Sequence, residues 1–195
     1  MALLEWQTGL CPSTRELALV NNNMSFNSSI TNKSQIVSYM GDYWTMSMTF
    51  NNMDFEKQRL YTVMIGKLKG MLNTIKVPTF RRYRDDEIGT PVVVSGNSLA
   101  MSVTLSGLIP EAKVFSSGDY ITIEHVLYEV LDDSYSDEAG ICVININKMI
   151  RTSMTVGSAV EYKRPYCEMR LTESSNGYSE QPLFASGTLS FKEKI

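Results

Sequence analysis

Hydrolysis by a serine or cysteine needs a nucleophile beside a base, and that base is most often a histidine. The chain has one histidine, His125, and three cysteines, Cys11, Cys142 and Cys167. No nucleophile elbow of the GxSxG type stands near His125. It reads as a residue close to a strand start or turn. The odd number and wide spacing of the cysteines argue against a disulfide framework, and no two form a CxxC motif for zinc or redox work. Cys142 lies in the apolar run Ile141-Cys142-Val143-Ile144 and reads as a small buried hydrophobe.

Carboxylates are the next candidates, because glycosidases and hydrolytic metal sites need them at fixed spacing on rigid elements. Asp85-Asp86-Glu87, Asp132-Asp133 and Asp137-Glu138 all fall in turn-like segments, and none has calcium-loop spacing. Ser95-Gly96-Asn97-Ser98 lacks the GK[ST] end of a phosphate loop. Arg81-Arg82-Tyr83-Arg84 has the basic and aromatic character of an anion-binding patch. The acidic triplet directly after it points instead to a solvated loop or domain boundary. Asn27-Ser28-Ser29 and Asn32-Lys33-Ser34 match the glycosylation sequon, which means little without a secretion signal. Tyr43, Trp44, Phe50, Phe55 and Tyr61 cluster at a strand–helix junction, where core packing is the expected role. The expectation is a chain that is not an enzyme, with no catalytic, cofactor-binding or metal-ligating residues and no cofactor.

The elements that would hold these residues are mostly short strands. Arg15–Val20 is one, followed by the turn cluster Asn21-Asn22-Asn23. Met24–Ile30 begins by alternating, like a strand with one buried face, and Gln35–Tyr39 is another short candidate. Asp42–Phe50 alternates most cleanly, with Trp44, Met46, Met48 and Phe50 on one side. A helix of about 54–69 follows. Asp54 is its N-cap, Leu60, Val63, Met64 and Leu68 form its apolar face, and Gly70 stands where a C-cap is wanted. Met71–Val77 reads as a strand ending at Pro78. From Val92 to Ile146 short strands run with no helix to cover them, an arrangement best closed into a small barrel. Tyr166–Thr172 and Phe184–Phe191 have too few partners alone and are expected to rejoin the first sheet.

Composition excludes other classes. The chain of 195 residues is 43% apolar, which is too much for disorder. No apolar run approaches the roughly 18 residues of a membrane span, and the first residues do not read as a signal peptide. A net charge of −3 gives no electrostatic case for gripping nucleic acid. A soluble, mildly acidic protein rich in Ser, Thr and Asn is expected.

The order of these signals resembles the distal tail protein (Dit) family of long-tailed bacteriophages. Ser25–Gln35, then Gly41-Asp42-Tyr43-Trp44, then the helix ending in Leu68-Lys69-Gly70, look like the family's N-terminal half. Phe115–Ile121, with a Gly118-Asp119 turn, and Tyr128-Glu129-Val130 resemble its barrel strands. Arg164–Leu171 matches the return strand. The likeness spans most of residues 13–172, rests on order more than on any one motif, and is greatest to the small type of T-five-like phages. It implies a mainly β fold: an N-terminal β-sandwich with one α-helix, plus an inserted barrel of the OB type. The ring-forming domain would comprise 1–87 and 158–195, and the barrel 88–157. It also implies a homohexameric ring at the distal end of the virion tail, made in the host cytoplasm. That ring would join the tail tube protein to the baseplate hub or fibre proteins and leave a channel for DNA. Neither stable nucleic-acid binding nor membrane insertion is expected. The rival reading is an OB-fold binding module for oligosaccharide or single-stranded nucleic acid, which predicts aromatic and basic residues on one barrel face.

Overall fold

The computed structural model describes residues 2–195. In chain order come β1 (Leu3–Leu4), β2 (Thr14–Val20), β3 (Asn23–Asn27), β4 (Ser34–Ser38), β5 (Tyr43–Met53), α1 (Phe55–Leu68) and β6 (Thr74–Pro78). The protein is mainly β with one helix, as its alternating sequence implies. Strand β5 buries Trp44, Met46, Met48 and Phe50 and leaves the intervening residues half-exposed. Asp54 caps α1 by accepting the Lys57 N–H at 2.9 Å, and Glu56 and Lys67 suit the two ends of the helix dipole.

Two details of α1 differ from the expected pattern. Its buried stripe is Tyr61, Met64 and Leu68, and Val63 faces solvent. The Tyr61 ring meets Phe50 edge-on at 5.2 Å, which fixes the helix phase and turns Val63 about 100° away from Met64. Lys69 takes the first left-handed position, with φ 50° and its N–H on the Ile65 carbonyl, and Gly70 follows at φ 63°.

The next eight strands are β7 (Gly89–Ser95), β8 (Ser102–Leu108), β9 (Lys113–Phe115), β10 (Tyr120–Ile123), β11 (Val126–Glu129), β12 (Ser134–Tyr135), β13 (Cys142–Asn145) and β14 (Val160–Glu161). Then come β15 (Tyr166–Leu171), β16 (Ser179–Glu180) and β17 (Ala185–Glu193). The late strands enter the sheet begun by the first part of the chain. Its order is β1-β6-β15-β17-β5-β2, with β16 added to β17 and only β1–β6 parallel.

The layer over this sheet is built by α1 and, at its other end, by Tyr120 and Leu127 of β10 and β11. One apolar core joins the sheet face (Met46, Met48, Ile75, Met169, Leu189) to Tyr61, Met64 and Leu68 of α1. Strands β3 and β4 pair only with each other. Their apolar residues do not form a buried face; Met24 and Phe26 are exposed.

Between residues 88 and 162 a second core gathers Val103, Leu105, Ile121, Val130, Ile144 and Tyr162. Three small sheets surround it: β13-β8-β7, β11-β10-β14 and β12-β9. They do not form the expected closed barrel. Only the single bridges Val92–Ala159 and Val130–Ile146 join β7 to β14 and lead from β11 towards β13. Strands of two to four residues, such as β9, β10, β12 and β14, end before a continuous ladder can form. Burial of apolar side chains, rather than ring closure, holds this unit. Its tightest backbone approach is where β7 meets β8. A Cβ on Gly107, which has φ +80°, would lie 2.4 Å from the Thr90 carbonyl oxygen.

Candidate functional site

A buried ion pair lies where the two cores meet. Lys148, in the loop after β13, donates to Glu193 Oε1 of β17 at 2.5 Å. Their side chains are only 2% and 1% exposed. Glu193 Oε2 accepts the Trp44 backbone N–H at 2.8 Å, and Arg151 Nη1 stands 3.8 Å from Oε1. The Lys148 ammonium also lies 5.1 Å above the Tyr128 ring. Burial pushes the lysine's pKa below its ordinary value, and the Glu193 charge opposes that shift. Beside this pair the Trp44 indole donates to the Leu127 carbonyl at 2.9 Å and meets Tyr120 edge-on. Trp44, the residue that marks the clearest strand in the sequence, thus clasps the main sheet to strands β10 and β11 of the second unit.

The turn bearing His125 docks on the same junction. Glu124 and His125 both have positive φ, 49° and 70°, and close the two-residue β10–β11 hairpin. The His125 Nδ1 is 2.8 Å from the Tyr166 hydroxyl, and the His125 carbonyl accepts the Glu168 N–H at 3.0 Å. Glu124 accepts from Thr155 N and Ser158 Oγ. No cysteine is among these contacts. Cys142 and Cys167 are buried and Cys11 is exposed. Burial pushes the Cys167 thiol far up, which makes it a poor nucleophile.

Glu168 gives a pH signature. Burial raises its carboxyl pKa, but hydrogen bonds from Lys194 Nζ at 2.8 Å and Thr74 Oγ1 at 2.7 Å outweigh it, and the net effect holds the group below its ordinary value. A depressed carboxyl stabilises the fold above its unfolded pKa, and that stability is lost as pH falls through the folded pKa. Urea midpoints from pH 7 to about pH 3 should therefore fall more steeply for the wild type than for Glu168→Gln. Equal slopes would refute this role.

The charged stretch singled out in the sequence is an ion-paired connection between the cores. Arg82 bonds Glu129 at 2.9 Å and covers the Tyr120 ring at 4.4 Å. Arg84 bonds Asp119 at 2.7 Å and also pairs with Asp86. Arg164 takes Asp85 and Lys163 takes Glu87. Only Arg81 of this stretch has no acidic partner among the described residues. Asp133 is held by Lys113, whereas Glu111, Asp137 and Glu138 form no ion pair among the described residues. These three line an open groove with Tyr135 at the far end of the second unit. Ser95 and Gly96 close β7 over Met154. Among the described residues, no three His, Cys, Asp or Glu side chains converge as a metal site, and no helix is long and apolar enough to cross a membrane. Of the five aromatic residues of the second unit, Phe115, Tyr120, Tyr128 and Tyr162 are buried and only Tyr135 is exposed, so they build no stacking platform.

The hairpin β3–β4 exposes apolar side chains. Met24 is 52% exposed, Phe26 50% and Ile36 71%. By register Met24 and Phe26 share a face with Val37, while Ile36 points to the other face with Ser25. The ribbon thus has one largely apolar face and one polar face that carries Ile36, and among the described residues it joins no other sheet. Sequence patterning found both strands and missed their exposure, because alternation marks two faces without saying what covers either. Compared with known proteins, the chain matches no protein-family model and no curated protein.

Proposed function

We propose that the chain is a structural ring protein of a phage tail tip, joining the tail tube to the hub and fibres around a channel for DNA. The observation that carries this reading is the β3–β4 hairpin. A lone two-stranded ribbon is marginal in water, and one that exposes Met24, Phe26 and Ile36 is at its best covered by another protein. A closing ring needs a heterologous contact, in which one patch meets a different patch on the next copy. Strand β2 is an open edge of the main sheet and offers unpaired backbone groups for such a contact. The two units, clasped by Lys148–Glu193 and Trp44, would give each ring subunit a rigid frame.

The purified protein should form a ring with a central channel in electron microscopy and a matching mass by light scattering. Met24→Ser/Phe26→Ser/Ile36→Ser should remain monomeric with unchanged circular dichroism, since these side chains lie outside both cores. A wild-type protein that stays monomeric at all concentrations and associates with neither tail-tube nor hub proteins would overturn the proposal.

A further inference from the structure

Two guanidinium groups stand beside one another with no carboxylate between them. A groove of about 520 Å³ runs along Pro12, Ser13 and Thr14, with Phe80 and the two side chains Arg15 and Arg81 lining it. Neither arginine forms an ion pair among the described residues. Arg15 is held in place: its Nη1 donates to the Thr79 carbonyl at 2.6 Å, and its guanidinium lies 5.7 Å from the centre of the Phe80 ring.

The backbone under the groove is tightly wound. Arg81 N donates to the Thr79 carbonyl at 2.8 Å across a single residue, Phe80, whose φ is +62°. A turn of that kind is rare and strained for a residue with a side chain. Thr79 is anchored through its N–H and hydroxyl to the Pro165 carbonyl, and the Trp6 ring meets Phe80 edge-on at 5.4 Å. The turn brings Arg81 up to Arg15, and burial together with the Arg81 charge lowers the Arg15 pKa. Holding like charges together is costly unless an anion joins them, and paired guanidiniums suit carboxylate oxygens.

We infer that this groove is a carboxylate-binding site that receives the two adjacent acidic turns bearing Glu111 and Glu138 of a second copy of the chain. The inference rests on the ring reading and names one of its contacts. The molecule carries both halves of a heterologous contact: two unpaired cations on the first unit, and Glu111, Asp137 and Glu138, all without ion pairs among the described residues, on the second. Opposite charges on different patches of one chain favour head-to-tail association over a two-fold dimer.

Charge reversal tests it. Arg81→Glu leaves the Arg15–Thr79 bond in place, and Glu111→Lys/Glu138→Lys leaves Asp137, which accepts the Ala139 and Ile141 N–H groups of its own turn. Each variant should raise the dissociation constant for assembly by about tenfold or more at low salt, with a smaller effect at high salt. Combining the three substitutions in one chain should restore assembly, and so should mixing the two variants. Assembly of Arg81→Glu with wild-type affinity and salt dependence would overturn the inference while leaving the ring intact. Failure of the combined chain to recover would also overturn it, by placing the carboxylates on another protein. A monomeric wild type would instead refute the ring reading itself.

Discussion

Lys148→Ala is expected to destabilise the protein by about 4 kcal/mol. The substitution leaves the Glu193 carboxylate buried at 1% exposure with no cation in hydrogen-bonding contact. Arg151, at 3.8 Å from Oε1, is too far to replace the 2.5 Å bond without moving. The Trp44 N–H remains on Oε2, but one neutral donor cannot balance a charge removed from water. Most of the loss would be the cost of that orphaned charge rather than the worth of the pair. The double variant Lys148→Met/Glu193→Gln separates the two. It keeps the volume, removes both charges and leaves an acceptor for Trp44, so it should lose far less than Lys148→Ala. Urea unfolding at pH 7 measures both. A single variant no less stable than the double would show that the pair is only loosely buried. Because the lysine comes from one unit and the carboxylate from the other, the loss should lower the midpoint of both cores together.

Gly107→Ala is expected to cost about 3 kcal/mol or more. Gly107 adopts φ +80°, which an L-residue with a side chain rarely tolerates. Its new Cβ would also lie 2.4 Å from the Thr90 carbonyl oxygen, a backbone atom that can move only if β7 shifts against β8. The same substitution at Gly66, in the last turn of α1 with nothing within 4 Å of its Cβ, should stabilise by about 0.5 kcal/mol. Thermal unfolding of the two variants therefore moves in opposite directions. A neutral Gly107→Ala would mean that β7 and β8 are not held at this distance.

Much of the secondary structure was legible in the sequence because local physics decides it. The alternation of Trp44, Met46, Met48 and Phe50 requires a strand with one buried face, and Asp54 with Gly70 brackets a helix. Three-dimensional closure was less legible. The parallel pairing of Leu3–Leu4 with Thr74–Ile75 depends on residues about seventy positions apart, and two residues carry no period. Short strands suggested a barrel, but ladder length decides whether one closes, and β9, β12 and β14 are too short. Lys148 and Glu193 gave no motif at all; a lone lysine and a lone glutamate look like ordinary surface residues until the fold buries them. Arg81 was noticed as part of a basic run, yet what distinguishes it, the absence of an acidic partner, is visible only once Arg82, Arg84 and Arg164 are seen to have theirs.

The position of β17 in the main sheet has a consequence for synthesis. It lies between β15 and β5, yet it leaves the ribosome after every residue of the second core has been made. The second unit, Ile88 to Tyr162, has its apolar residues to hand first and can collapse early, as units of a chain do during translation. Strand β5 meanwhile waits with one edge unpaired and Glu193, the partner of Lys148, not yet made. The main sheet is therefore completed only after the second unit has been made.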